Sequence, residues 1–128
     1  MNMRYMRVSR IMRIEDCTGI YGLYLDGELV YIGKTTQSFV KRFSQHKRLL
    51  EFPEESEKQY DMYYELSEQV ALGHSLCLKP IFVAEEVPYN SLYKLNNRDL
   101  ESMEFILIYI FKPKYNVAGV KLPYRYKN

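Results

Sequence analysis

The chain is 128 residues long, 47% hydrophobic and 27% charged, with a formal net charge of +2 at pH 7. That length suits one domain with one core, and that composition excludes a disordered or fibrous chain. No apolar run nears the roughly 20 residues of a membrane span and no signal-peptide pattern opens the sequence, so a single cytoplasmic domain over residues 1–128 with no membrane partner is expected.

Basic residues gather at the two ends. In the N-terminal arm, residues 1–17, Arg4, Arg7, Arg10 and Arg13 recur every third residue with no acid among them. Met3, Met6, Ile11 and Ile14 between them fit either a short amphipathic helix or a frayed arm. In the C-terminal tail, residues 119–128, Lys121, Arg125 and Lys127 accompany Tyr124 and Tyr126, whereas Glu51, Glu54, Glu55 and Glu57 cluster centrally. Such a distribution suits a polyanion held by one side of the molecule, and it also suits plain solubility. Cys17 and Cys77 have neither CxxC nor metal-type spacing and are read as free, reduced thiols with a packing role.

Gly19 to Gly33, GIYGLYLDGELVYIG, reads as a β-hairpin, because two strand-forming runs flank Asp26-Gly27. Its register decides which side chains share a face. A bare two-residue loop would put Tyr21 and Tyr31 on opposite faces. A three-residue loop, Leu25-Asp26-Gly27 with Gly27 left-handed, pairs Tyr24 with Glu28 and sets Tyr21 directly opposite Tyr31; this register is the expected one. Glycines at 19, 22 and 33 would leave the backbone open to a ligand. Gly33-Lys34-Thr35 imitates the end of a nucleotide-binding P-loop, but the motif requires glycine where Glu28 stands, which excludes that reading.

The spacing of Phe39, Val40, Phe43 and Leu50 predicts a helix over 39–50 with Ser38 as its cap. On it Arg42 and His46 are four apart and share a face, with Lys41, Lys47 and Arg48 alongside. Taken alone, this could be an ordinary basic surface helix. A polar loop with Pro53 precedes a second helix near 60–72, with Met62, Tyr63, Leu66 and Val70 inward, Gly73 as its C-terminal stop and His74 a solvated turn residue. Its role reads as structural. Leu76 to Val87 is a third strand, Pro80 marking its beginning or an edge. After a loop ending at Asn96-Asn97, a third helix spans about 98–111 and stops before Pro113.

At about 100° per residue, Leu100, Glu104, Leu107, Ile108 and Phe111 of that helix fall in one arc, continued by Met103 and Ile110. Glu104 therefore interrupts an apolar stripe. A carboxylate so placed must neutralise, bind a cation or find donors. Glu101, at the border, is explained by the helix dipole.

Gly19-Ile20-Tyr21 followed by Tyr31-Ile32-Gly33 resembles the GIY-YIG nucleases. Arg42 with His46 one turn later, Glu104 on a later helix, and Pro113 with Asn116 in EFILIYIFKPKYN fit the same pattern in order, from about Thr18 to Ala118. The likeness is to compact stand-alone members, such as phage and small restriction-type endonucleases. It implies an α+β fold, a small three-stranded antiparallel sheet flanked by about three helices. It implies hydrolysis of double-stranded DNA with a single Mg²⁺ or Mn²⁺ held by Glu104. Arg42 would clamp the phosphate, and Tyr21 would be base or water-positioner, hydrogen-bonded to His46, its phenol acidified by Arg42 and the metal. Tyr31 would touch phosphate or nucleophile, Lys34 would be an auxiliary cation, and Asn116 would orient the site. Arg4, Arg7, Arg10, Arg13, Lys41, Lys47, Lys121 and Arg125 are the candidate DNA contacts, with target choice left to the ends and the 51–60 loop. One such site cuts one strand at a time, so double-strand breaks would take a homodimer or successive nicks. A non-catalytic nucleic-acid-binding or partner-binding module on the same fold is the alternative.

Overall fold

The hairpin is built on a tighter loop than the sequence suggests. In the computed structural model, which describes residues 2–3, 13–56, 61–86 and 97–117, Leu25 pairs with Glu28 across a two-residue turn in which Asp26 (φ 50°) and Gly27 (φ 86°) are both left-handed. This is the turn whose twist matches that of the strands. Its tip is fastened down: Asp26 Oδ1 accepts from Ser75 N at 2.9 Å, and Oδ2 lies 2.6 Å from His74 Nδ1. Those contacts hold the Asp26 carboxyl below its usual range, the Ser75 backbone first and His74 second. His74 is therefore a turn clamp as well as an exposed residue.

The elements in chain order are β1 (Asn2–Met3), β2 (Gly19–Leu25), β3 (Glu28–Thr35), α1 (Phe39–Glu51), α2 (Asp61–Ala71), β4 (Leu76–Val83), α3 (Asn97–Phe111) and α4 (Lys114–Val117). The sheet order is β1-β4-β2-β3. The three long strands are antiparallel, and β1 adds a short parallel pairing to Cys77 and Leu78 of β4, a fourth strand beyond the three expected. Past Leu78 the outer side of β4 faces no described strand, so the missing N–H of Pro80 removes no pairing there.

Helix limits follow local chemistry. Ser38 accepts from Lys41 N at 3.1 Å and caps α1. At the end of α2, Gly73 is left-handed, and Gly73 N and His74 N bond back to Val70 O and Gln69 O. α3 stops with Lys112 left-handed ahead of Pro113. β4 is shorter than expected, ending at Val83 before a 3₁₀ turn at Ala84–Glu86.

Period-two alternation divides the hairpin between two cores. Tyr21, Leu23 and Val30 pack with Cys17, Phe39, Met62, Tyr63 and Leu66 beneath α1 and α2. Ile20 and Ile32 point the other way and meet Leu100, Met103, Leu107 and Ile108 of α3. Several expected inward residues are instead on the surface: Val70 of α2, and Ile110 and Phe111 of α3. α3 lies on a sheet only a few strands wide, which covers a narrow arc of the helix, so its last turn projects past the core. Both cysteines are free thiols, as expected. Among the described residues no helix is long and apolar enough to cross a membrane.

Candidate active site

Tyr21 and Tyr31 do share a face, but not by standing opposite each other. Tyr21 pairs with Gly33 and Leu23 pairs with Tyr31, with a register shift between Leu23 and Tyr24. The shift leaves Val30 as an extra residue in β3. This bulge reverses the face that the two-residue turn alone would impose, and so brings the phenols together on a diagonal. Their ring centroids are 6.4 Å apart. Gly33 is what permits it: a Cβ there would lie 2.5 Å from Tyr21 Cζ and closer still to the phenol oxygen. The Tyr21 ring lies across the bare backbone of the YIG glycine.

α1 supplies the partners. Arg42 and His46 come from adjacent turns of its inward side; Arg42 Nε donates to Tyr21 Oη at 2.9 Å and His46 Nε2 lies 2.6 Å from the same oxygen. His46 Nδ1 is 2.8 Å from Tyr63 Oη on α2. Tyr21 and His46 have no exposed surface and Tyr63 almost none. Proton placement then follows from donor counting. The Arg42 Nε–H can only donate, so Tyr21 accepts from it; the buried Tyr21 O–H needs an acceptor, and His46 Nε2 provides one. The remaining His46 proton sits on Nδ1 and is donated to Tyr63.

Burial, and then the Arg42 charge, lower the His46 pKa to about 3. The imidazole is neutral throughout the pH range in which proteins ordinarily work. Unfolded, it would take up a proton below about 6.5, so stability falls as pH drops from there toward 3. The expected slope is about 1.4 kcal/mol per pH unit. Urea titrations at pH 7, 6 and 5 should show it, and a His46→Gln variant should be flatter over that interval. Tyr21 corrects an expectation: burial pushes its phenol well above the usual range, Tyr31 adds to that, and Arg42 offsets it only in part. Without a metal nearby, Tyr21 is a neutral hydroxyl.

Arg42 also donates from Nη1 to Gln45 Oε1 at 2.8 Å, and its other N–H groups have no partner among the described residues. Asn116 occupies the outer edge of β3, its Oδ1 accepting from Ile32 N at 2.7 Å and its Nδ2 donating to Ile32 O at 3.0 Å. It pairs with the strand between Tyr31 and Gly33 as a further strand would.

Lys34 and Glu104 stand elsewhere. Lys34 points to the α3 side of the sheet, where Nζ meets Asn97 Oδ1 at 3.0 Å and Glu101 Oε1 at 3.8 Å. Glu104 is half-buried on α3 within the Leu100, Met103, Leu107 and Ile108 side, over the sheet face opposite to Tyr21. The structure thus gathers Tyr21, Tyr31, Arg42 and His46, and leaves Glu104 and Lys34 on the other layer beside edge strand β3. Tyr63 was read as core packing. Its signal was a hydroxyl on the inward stripe of α2, which must find a partner when buried. Lys41 and Lys47 are exposed on α1, and Arg13 is exposed beside Glu15, 3.7 Å away. Arg4, Arg7, Arg10, Lys121 and Arg125 lie outside the described residues.

Among the described residues no three His, Cys, Asp or Glu side chains group to hold a metal. One hard carboxylate, as Glu104 would offer, is enough for Mg²⁺, which keeps most of its waters and binds through one or two carboxylates plus substrate phosphates.

A mixed sheet with three long antiparallel strands between helices, Tyr21 and Tyr31 meeting over Arg42 and His46, is an α+β, GIY-YIG-like fold. Bacteriophage T4 EndoII, a GIY-YIG-type endonuclease solved as a point mutant, has a similar structure, with a TM-score of 0.55 and 19% sequence identity over 79% of this chain and 74% of that one. No family model and no curated protein matches the sequence.

Proposed function

We infer that the protein is a metal-dependent endonuclease that hydrolyses phosphodiester bonds in double-stranded DNA. The observation that carries this reading is Arg42, a cationic fork tied by one N–H to a buried phenol–imidazole pair, with N–H groups left over for a phosphate. A guanidinium held in this way recognises phosphate oxygens bidentately and stabilises charge that grows on them in the transition state. Lys41 and Lys47, on the same helix, extend the positive surface along a DNA backbone.

Glu104 is the proposed metal ligand, and Mg²⁺ or Mn²⁺ would supply a Lewis acid at the phosphate and acidify nearby water. β3 is the outermost strand, and the Tyr21 layer and the α3 layer both border its edge, where Asn116 covers Ile32. The residues on the Tyr21 side handle the proton. As water attacks phosphorus, at a Tyr21 hydroxyl that DNA binding would have to uncover, its proton passes to Tyr21 Oη while the Tyr21 proton passes to His46 Nε2, and the bond to the leaving oxygen breaks, that oxygen taking a proton from solvent. The concerted exchange avoids a free phenolate, which burial disfavours, and it puts the charge on His46, where burial and Arg42 disfavour it too, so that the proton is held there only in passing. Tyr31 completes the pocket wall beside the nucleophile, Lys34 steadies the start of α3, and two copies of the chain would be needed to cut both strands in one event.

Plasmid nicking tests this reading. The wild type should nick supercoiled DNA with Mg²⁺ and not with EDTA. Arg42→Ala should lose on the order of 10²- to 10³-fold in kcat. Its DNA affinity should survive, with the salt slope reduced by about 1. Binding without metal-dependent cleavage by the wild type would favour the non-catalytic module instead.

A further inference from the structure

We propose that Tyr63 is a positioning residue of the site, accepting the His46 Nδ1 proton and thereby holding Nε2 bare to receive the proton of Tyr21. The proposal rests on the endonuclease reading for its kinetic part and on geometry alone for its tautomer part. An imidazole in the middle of a hydrogen-bonded chain has two neutral forms, and only one has an acceptor facing Tyr21. Both nitrogens bear on which form exists: Tyr21, already accepting from Arg42, calls for an acceptor at Nε2, and the form that offers one carries its proton on Nδ1, where an acceptor is needed in turn. Here that is Tyr63 Oη, 2.8 Å from Nδ1 and buried with it.

The groups around His46 leave the Nδ1 proton Tyr63 as its acceptor. Tyr21 from β2 lies against Nε2. The rings of Tyr21 and Tyr31 stand edge-on to the imidazole at 5.5 and 6.0 Å, and the Tyr63 ring is at 5.8 Å. Arg42 from α1 binds the far side of the Tyr21 oxygen. No carboxylate touches the ring among the described contacts, so the usual orienting partner of a catalytic histidine is replaced by a phenol. A phenol is neutral. It fixes direction without stabilising a charged imidazole in the resting protein, which agrees with the low basicity that burial imposes on His46. When the Tyr21 proton arrives at Nε2, the Nδ1–H···O bond to Tyr63 strengthens and shares the new charge.

Tyr63→Phe keeps the ring and removes the hydroxyl, and with it the acceptor for His46 Nδ1. The chain has two histidines, so long-range ¹H–¹⁵N correlation resolves both rings, with His74→Gln assigning them. In the wild type His46 should show a protonated Nδ1 and a bare Nε2. In Tyr63→Phe the pattern should average or reverse. With circular dichroism unchanged, kcat should fall on the order of 10- to 100-fold, by analogy with the cost of losing the partner that orients a metal-ligating histidine, while KM stays within about twofold. Tyr63→Gln, which restores an acceptor oxygen, should recover part of the rate and the original tautomer. It also serves as the second variant should Tyr63→Phe fail to fold. A wild-type His46 protonated on Nε2, or a Tyr63→Phe protein with unchanged tautomer and kcat, overturns the proposal. If the wild type proves unable to cut DNA, the endonuclease reading fails, while the ring spectra still decide what Tyr63 does to His46.

Discussion

Glu104→Ala is expected to remove metal-dependent cleavage while leaving a folded protein that still binds DNA. The position is half-buried on α3 between Leu100, Met103, Leu107 and Ile108. Alanine is the best helix former, so the helix itself should not suffer. A metal at the phosphate contributes several kcal/mol of transition-state stabilisation. At about 1.4 kcal/mol per decade, its loss should lower kcat by at least ~10³-fold. Raising Mg²⁺ should not restore the rate, and Glu104→Gln should behave alike, since an amide oxygen lacks the charge that draws the ion. Nicking rates at saturating DNA, with binding measured in EDTA, check this. Cleavage by Glu104→Ala at the wild-type rate would have two meanings, told apart by Arg42→Ala: if that variant also cuts, a contaminant is responsible, and if it does not, the metal is held by other residues. The second outcome has a structural basis, because α3 lies on the opposite sheet face from Tyr21.

Gly33→Ala is expected to damage both stability and activity. The new Cβ would meet Tyr21 Cζ at 2.5 Å. The ring cannot simply swing aside, because it is fully buried and its oxygen is held by Arg42 and His46. Overpacking of this kind costs about 1–3 kcal/mol. Displacing the phenol by ~1 Å should lower kcat on the order of 10²-fold. Urea midpoints and nicking assays measure the two effects. The stability cost should largely disappear in a Tyr21→Ala background, because neighbours that clash are non-additive. A Gly33→Ala protein with wild-type stability and rate would show that the ring has room the geometry denies it.

Much of the architecture was legible because it depends on local chemistry. Asp26-Gly27 announces a hairpin, Ser38 a helix start, Gly73 and Pro113 helix ends, and each does what its backbone preferences require. The α1 residues of the site were legible for the same reason: residues four apart on a helix share a side, and Arg42 and His46 both reach Tyr21. What escaped was register. A turn of either length satisfies the same sequence, and the extra residue at Val30 is chosen by how β3 packs on β2 rather than by any local signal. The inward phenol at Tyr63 escaped likewise, since a hydroxyl in an apolar stripe names no partner until another helix is laid against it.

The residues alone carry the order and type of the three long strands and the three long helices, and the identity of the side chains chemically able to bind phosphate and move a proton, because these follow from turn chemistry, helical spacing and functional groups. Packing decides that Tyr21, with no metal beside it, is a buried neutral phenol, that His46 is held between two phenols, and that the α3 helix carrying Glu104 lies against the other face of the sheet. Burial and partner geometry are set by which surfaces pack together, and the one-dimensional pattern of residues carries no measure of either.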